Sequence, residues 1–249
     1  MPRTHQSLPR LFVGHALGMG EQIRLEREQS NYLGAVMRLR AGDDVIVFNG
    51  RDGAWRARVI DPNKKAVTLE LVEQTAPQAP PSDLWYGFAP LKSGRLDYVV
   101  QKATEMGAGV IQPVLTRFTQ VSRLRTDKLV ANVIEAAEQC EVLTVPRVDP
   151  EIRLGDLIAG WGTAHGARAL VVADEGLAPG SPLDVLRTLA GRPIGLLVGP
   201  EGGFADDERA LLAGQDFVVP ISLGPRILRA DTAAVAALAV IQSSIGDWR

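Results

Sequence analysis

The 249-residue chain reads as an α/β protein in two parts: a small β-barrel, then a larger domain of strands and helices on a mainly parallel sheet. Three observations predict this. The segment Glu73–Ser82 carries three prolines and no apolar periodicity, which marks a linker. Before it, short strand-like runs are separated by turn residues. After it, apolar runs alternate with stretches of helical spacing. The expected boundaries are 1–73 for the barrel, 74–82 for the linker and 83–249 for the second domain.

The elements follow in order. Strands are expected at Leu11–Val13, Gln22–Leu25, Asp44–Asn49, Ala54–Ile60 and Ala66–Leu71, with turns at Asn49–Gly53 and Asp61–Asn63. One helix, Glu28–Met37, interrupts them, and closely spaced short strands suggest a barrel. Beyond the linker, Leu84–Ala89 is a strand. Leu96, Val99, Val100, Ala103 and Met106 then mark a helix face, and Val110–Val114 returns to strand. Leu129, Val130, Val133, Ile134 and Ala137 repeat the helical spacing. Buried-type strands follow at Ala169–Ala173, Ile194–Val198 and Phe217–Val219, with a final helix over about Asp231–Ile245. No internal repeat is visible.

Composition excludes several classes. With 46% hydrophobic and 22% charged residues, a packed core is expected and disorder is not. The apolar run Ala233–Ile241 is too short for a bilayer, and Met1–Arg10 has no apolar signal core, so a cytoplasmic protein is expected. A single Cys140 excludes an internal disulfide. His5, His15 and His165 are scattered without partners at ligand spacing, so no metal is expected. His165 reads as an exposed histidine in a glycine-rich loop, Gly160–Gly166.

Phosphate-binding and nucleophile motifs of the P-loop, dinucleotide and Gly-x-Ser-x-Gly types are missing. The strongest signal is an apolar strand ending in Gly199-Pro200-Glu201-Gly202-Gly203, with Asp206 or Asp207 placed to open a helix. Glycines at the carboxyl edge of a parallel strand let backbone groups approach a ligand; the same glycines also suit a plain strand-to-helix turn. A second signal, Ile221 to Thr232, places Arg226 and Arg229 in a Gly224-Pro225 loop, with Asp231 or Thr232 as a helix cap. These arginines fit either an anion site or an ordinary charged surface. A third runs from Ala89 through Lys92 to Asp97 and on to Gly107, where Lys102 and Glu105 read as a surface pair.

Together, Pro90-Leu-Lys-Ser93, Gln101 to Gly107, Glu135 to Cys140, Leu197 to Phe204 and Ser222 to Ala233 resemble the bacterial 16S rRNA (uracil-N3)-methyltransferases, the RsmE family of the SPOUT superfamily. Arg10-Leu-Phe-Val13 and Met37 to Asp43 resemble that family's PUA-like RNA-binding barrel. The resemblance implies an N-terminal PUA-like barrel, a C-terminal α/β trefoil-knot methyltransferase domain, S-adenosylmethionine as donor, and a homodimer acting on 16S rRNA of the small ribosomal subunit. It implies cofactor contacts at Leu197, Gly199, Pro200, Glu201, Gly202 and Gly203, and at Ile221, Leu223, Gly224, Arg226 and Leu228. Arg10, Arg38, Arg40, Lys92 and Arg117 are the implied RNA contacts. Departures from the family pattern fall at Asn31 (often His), Phe118 (often Arg), Glu141 and Val142 (often Gly and Arg) and Asp231 (often Glu).

Transfer from a sulfonium is an in-line displacement that relies on positioning. Uracil N3 carries a proton at neutral pH, so the proton must pass to an enzymatic carboxylate or be lost to water, and a cation to spread the developing charge is expected. Arg229 and Arg10 are the candidate cations, and Glu201 and Asp231 the candidate bases. A related SPOUT enzyme acting on another RNA such as tRNA, or a non-catalytic RNA-binding assembly factor, would share much of this pattern. The net charge of −2 hides an uneven distribution: residues 1–75 carry 11 basic and 9 acidic side chains, and 92–128 carry 7 and 3. An RNA footprint across the two-domain junction is therefore expected despite the acidic total.

Overall fold

A computed structural model describes residues 8–92, 94–121, 124–178 and 180–248. His5, and Ser93 of the Pro90–Ser93 segment, lie outside the described residues. The chain divides into two compact units, Met1–Pro80 with Ala137–Val145, and Pro81–Ala136 with Pro146–Arg249.

The first unit contains β1 (Arg10–Phe12), β2 (Gln22–Arg24), α1 (Arg27–Asn31) running into a π-helical turn at Tyr32–Val36, β3 (Asp44–Phe48), β4 (Ala54–Asp61) and β5 (Thr68–Ala76). Gln74, Thr75 and Ala76, from the stretch read as linker, are thus strand residues. The strands form one sheet in the order β1-β3-β4-β5-β2, antiparallel except for β1 with β3. Alternate residues turn inward, as period-two patterning requires. Leu11, Ile23, Val45, Val47, Val59 and Leu69 from all five strands meet with Leu33 in a single core. A sheet whose strands all feed one cluster must curl on itself, and the register shifts along β4 and β5 supply the extra twist. Ser30 fastens the helix to this sheet: its buried Oγ donates to Leu25 O at 3.2 Å and accepts from Val67 N–H at 2.9 Å.

No local pattern announces the return of Ala137–Val145 to this unit. There Glu138 Oε1 accepts the Phe12 N–H at 2.8 Å, and Gln78 Nε2 donates to Thr144 Oγ1 at 3.1 Å.

The second unit contains β6 (Trp85–Phe88), α2 (Arg95–Glu105), β7 (Val110–Leu115), most of α3 (Thr126–Gln139), β8 (Arg147–Val148), β9 (Ile152–Arg153) and α4 (Leu154–His165). It continues with β10 (Ala169–Ala173), α5 (Pro182–Arg187), β11 (Ile194–Val198), α6 (Asp206–Ala213), β12 (Val218–Ile221) and α7 (Ala230–Ser244). The strand pairs are parallel, in the order β12-β10-β11-β6-β7-β8, with β9 alongside β7. Every residue of β10 and β11 is buried, which explains their unbroken apolar runs. The run Ala233–Ile241 lies inside α7, whose Ala234, Ala237, Leu238 and Ile241 are buried. Among the described residues no helix is long and apolar enough to cross a membrane.

One expectation is corrected here. His165 is not an exposed loop residue but the last residue of α4, half-buried with its ring 4.1 Å from that of Trp161. Burial, with the Arg168 cation nearby, pushes its imidazole below the usual range. Gly160 and Gly162 disfavour a helix intrinsically, but burying Leu154, Leu157, Ile158 and Trp161 outweighs them.

Trp161 packs edge-on against Trp85, ring centroids 5.1 Å apart, over Gly195 of β11. A Cβ at Gly195 would lie 3.0 Å from Trp161 and 3.1 Å from Trp85. Gly195→Ala is expected to destabilise the protein by about 1–3 kcal/mol through overpacking. The check is a lower urea midpoint at an unchanged denaturant slope.

Candidate functional site

An all-parallel sheet brings its strand carboxyl ends to one edge, where open α/β sheets take their ligands. In the second unit the loops after β12, β10, β11 and β6 are therefore neighbours in that order.

The loop after β11 turns at once, with Gly203 N–H donating to Pro200 O at 2.9 Å. Its glycines are required by geometry at two points. Gly203 has φ +68°, and a Cβ there would meet Glu175 Oε1; a Cβ at Gly199 would lie 3.0 Å from the Phe204 ring. Leu197 stands apart from the rest of this motif, because its side chain is fully buried in the core with Trp85, Leu170 and Phe204. Only its backbone is available to a ligand.

The loop after β12 begins at buried Ile221, and Ser222 Oγ accepts the Gly224 N–H at 3.3 Å. Gly224 has φ +102°, and a Cβ there would meet nothing within 4 Å, so its backbone faces open space. Leu223, Gly224, Arg226 and Leu228 form one side of a cleft, and Ala173, Asp174 and Glu175 at the end of β10 line it as well. Arg209 of α6 holds both carboxylates, reaching Glu175 Oε1 at 2.7 Å and Asp174 Oδ1, while its Nε donates to Phe204 O at 3.1 Å. The sequence reading missed Asp174 and Glu175. Their signal was an acidic pair just past a fully apolar strand.

It also missed Arg95, the first residue of α2. Arg95 Nη1 lies 3.3 Å from Glu201 Oε1, and its Nε 3.9 Å from Asp231 Oδ2. Arg229 Nε stands 3.7 Å from the other oxygen of Asp231. Two of the four candidate catalytic residues, Glu201 and Asp231, are thus gathered around one unforeseen arginine, and a third, Arg229, shares Asp231 with it. Arg229 is the N-cap of α7, a place expected for Asp231 or Thr232; Asp231 sits in the first turn, buried, and accepts the Thr232 N–H at 2.9 Å.

The fourth, Arg10, belongs to the first unit. Its guanidinium lies 5.4 Å from the Phe48 ring centroid, and burial pushes it below the usual arginine range against the opposing effect of Glu141 and Glu138. Its buried Nε and Nη2 have no hydrogen-bond partner among the described residues. Arg38 and Arg40 are exposed in the same unit, Arg38 with φ +57°. Exposed Lys92 follows β6, and Arg117 after β7 pairs with Asp207 at 2.7 Å. Among the departures, Asn31 is exposed and Val142 half-buried, whereas Glu141 has φ +59°, a conformation glycine adopts without strain. Lys102 and Glu105 form the expected pair at 2.6 Å. Among the described residues no group of three or more His, Cys, Asp or Glu is placed to hold a metal.

The family models for an RNA methyltransferase domain and an RNA methyltransferase PUA domain match residues 78–242 and 25–72. A ribosomal RNA small subunit methyltransferase E from Rickettsia conorii is 32% identical over 94% of each chain. The chain belongs to this methyltransferase E family. A second family member, from Synechocystis, is 33% identical over 89% of this chain and 73% of its own. The crystal structure of the family member from Neisseria gonorrhoeae, bound to S-adenosyl methionine, superposes with a TM-score of 0.85 at 26% identity, covering 98% of this chain and 100% of that one. The fold is accordingly a PUA-like domain followed by an α/β RNA methyltransferase domain.

Arg95 ties the loop after β11 to the start of α7 through partly exposed ion pairs, each worth about 0.2–1 kcal/mol. Arg95→Ala is therefore expected to speed amide exchange in Gly199–Gly203 and at the start of α7 by roughly two- to fivefold, with the melting temperature nearly unchanged. Hydrogen-exchange mass spectrometry reads this directly.

Proposed function

We propose that this chain transfers a methyl group from S-adenosylmethionine to N3 of a uridine in 16S rRNA of the small ribosomal subunit, acting as a cytoplasmic homodimer. The observation that carries the reading is the placement of Gly199–Gly203 and Leu223–Leu228 at one edge of the sheet, after the two strands that flank β10, in a member of the methyltransferase E family. The trefoil threading implied by the motifs belongs to the same reading.

The residues present suit the donor. Leu223, Leu228 and Ala173 offer apolar walls for an adenine ring, and the open side of Gly224 lets a ligand approach the backbone closely. Asp174 and Glu175 suit hydroxyl or ammonium donors, and Arg226 suits a carboxylate. Bound there, S-adenosylmethionine supplies an activated methyl group on a sulfonium.

The protein's own contribution is positioning and charge. Arg229, with its side chain 66% exposed, has its Nε beside Asp231 and its outer guanidinium nitrogens open to a substrate, where it stabilises the negative charge that spreads over the uracil oxygens as N3 loses its proton. Glu201 and Asp231, each set beside an arginine, remain the candidate acceptors of that proton. Arg10, Arg38, Arg40, Lys92 and Arg117 supply cations for the RNA backbone.

Mass spectrometry of rRNA from a strain lacking the protein is expected to show one methyluridine missing from the small subunit; a full complement of methyluridines would overturn the reading. Arg229→Ala is expected to abolish methylation while calorimetry shows cofactor affinity within about twofold of wild type, as for a group used mainly in the transition state. Single-turnover activity retained in that variant would reassign the role.

A further inference from the structure

Phe118 exposes 45% of its surface in the loop that leaves β7. The loop is not loose. Thr116 N–H donates to Thr119 Oγ1 at 2.9 Å, Thr119 N–H to Thr116 O at 3.1 Å, and Arg117 N–H to Glu208 Oε1 of α6 at 2.8 Å. The ring is therefore presented on a fixed turn. Its neighbour across the surface is the glycine loop: a Cβ at Gly202 would lie 3.3 Å from Phe118 Cβ and 3.5 Å from its Cγ. Phe118 also borders an open groove with Arg117, Phe204 and Asp206.

A large apolar ring held out of the core gains little from folding, and one beside the proposed methyl-donor loop is placed for a ligand with a flat face. We propose that Phe118 is a stacking platform for an unpaired base of the RNA substrate, at or next to the target uridine. The inference rests on the RNA-methylation reading above. An aromatic side chain accepts any base on its π-face, and Arg117 beside it can take the flanking phosphate by exchanging its exposed partner Asp207.

The test is methylation of small ribosomal subunits that lack the modification, with cofactor affinity measured in parallel. Phe118→Leu, which keeps the apolar bulk but not the ring, and Phe118→Ala are expected to raise KM for the RNA by about tenfold with cofactor affinity unchanged, and Phe118→Trp to retain wild-type KM. Phe118→Arg is expected to bind with a salt dependence steeper by about one released counterion. A Phe118→Leu enzyme with wild-type KM would overturn the proposal. So would a parallel loss of cofactor affinity, since the ring would then only be propping Gly202. A wild-type chain inactive on every RNA would remove the reading beneath the inference, and the inference with it.

Discussion

Parallel strand pairing is the constraint on which the second unit depends. Because β12, β10, β11, β6 and β7 all run the same way, their carboxyl ends share one edge, and segments far apart in the chain become neighbours there. The cost is that each strand must be apolar on both faces and covered by helices, which β10 and β11 meet at every position. The gain is a rigid rim from which loops can be hung with little freedom. The glycine loop, the Asp174–Glu175 pair and the loop carrying Arg226 are three such loops, and none of them would meet the others in an antiparallel meander.

Charge organises that rim. Arg209 fixes two carboxylates from the end of β10, and Arg95 pairs with two more, one in the loop after β11 and one in the first turn of α7. Each guanidinium has enough donors to serve two acceptors at once, which a lysine would do less directionally. The acidic groups near the proposed donor pocket are thereby held in place without burying an uncompensated charge. The overall balance of −2 is a poor guide to such a surface, since the cations and anions are paired locally and not averaged.

The fold was legible in the sequence wherever burial sets a period. Alternation at Val45 and Val47 and at Leu69 and Leu71 marked the strands of the first unit, and unbroken runs marked β10 and β11. It failed at α4, where glycines disguise a helix that is held by Trp161 and its neighbours. The candidate site was legible where it rests on local backbone, at Gly199–Gly203 and Leu223–Leu228, because a tight turn leaves glycine in the sequence. Arg95 left no such trace, and Asp174 and Glu175 left only an acidic pair past an apolar strand. Their roles come from pairing across distant segments, as does the partnership of Glu138 with Phe12, and a single sequence carries no record of those distances.

The return of Ala137–Val145 to the first unit bears on how such proteins are inherited. A domain joined by one linker can be exchanged between genes at a single crossover. Here the N-terminal unit is completed by residues encoded after part of the second, and the Phe12 N–H finds its acceptor 126 positions downstream. Any recombination at the proline-rich stretch would separate Glu138 from the strand it serves. Two units that look separable along the chain are therefore obliged to vary as one.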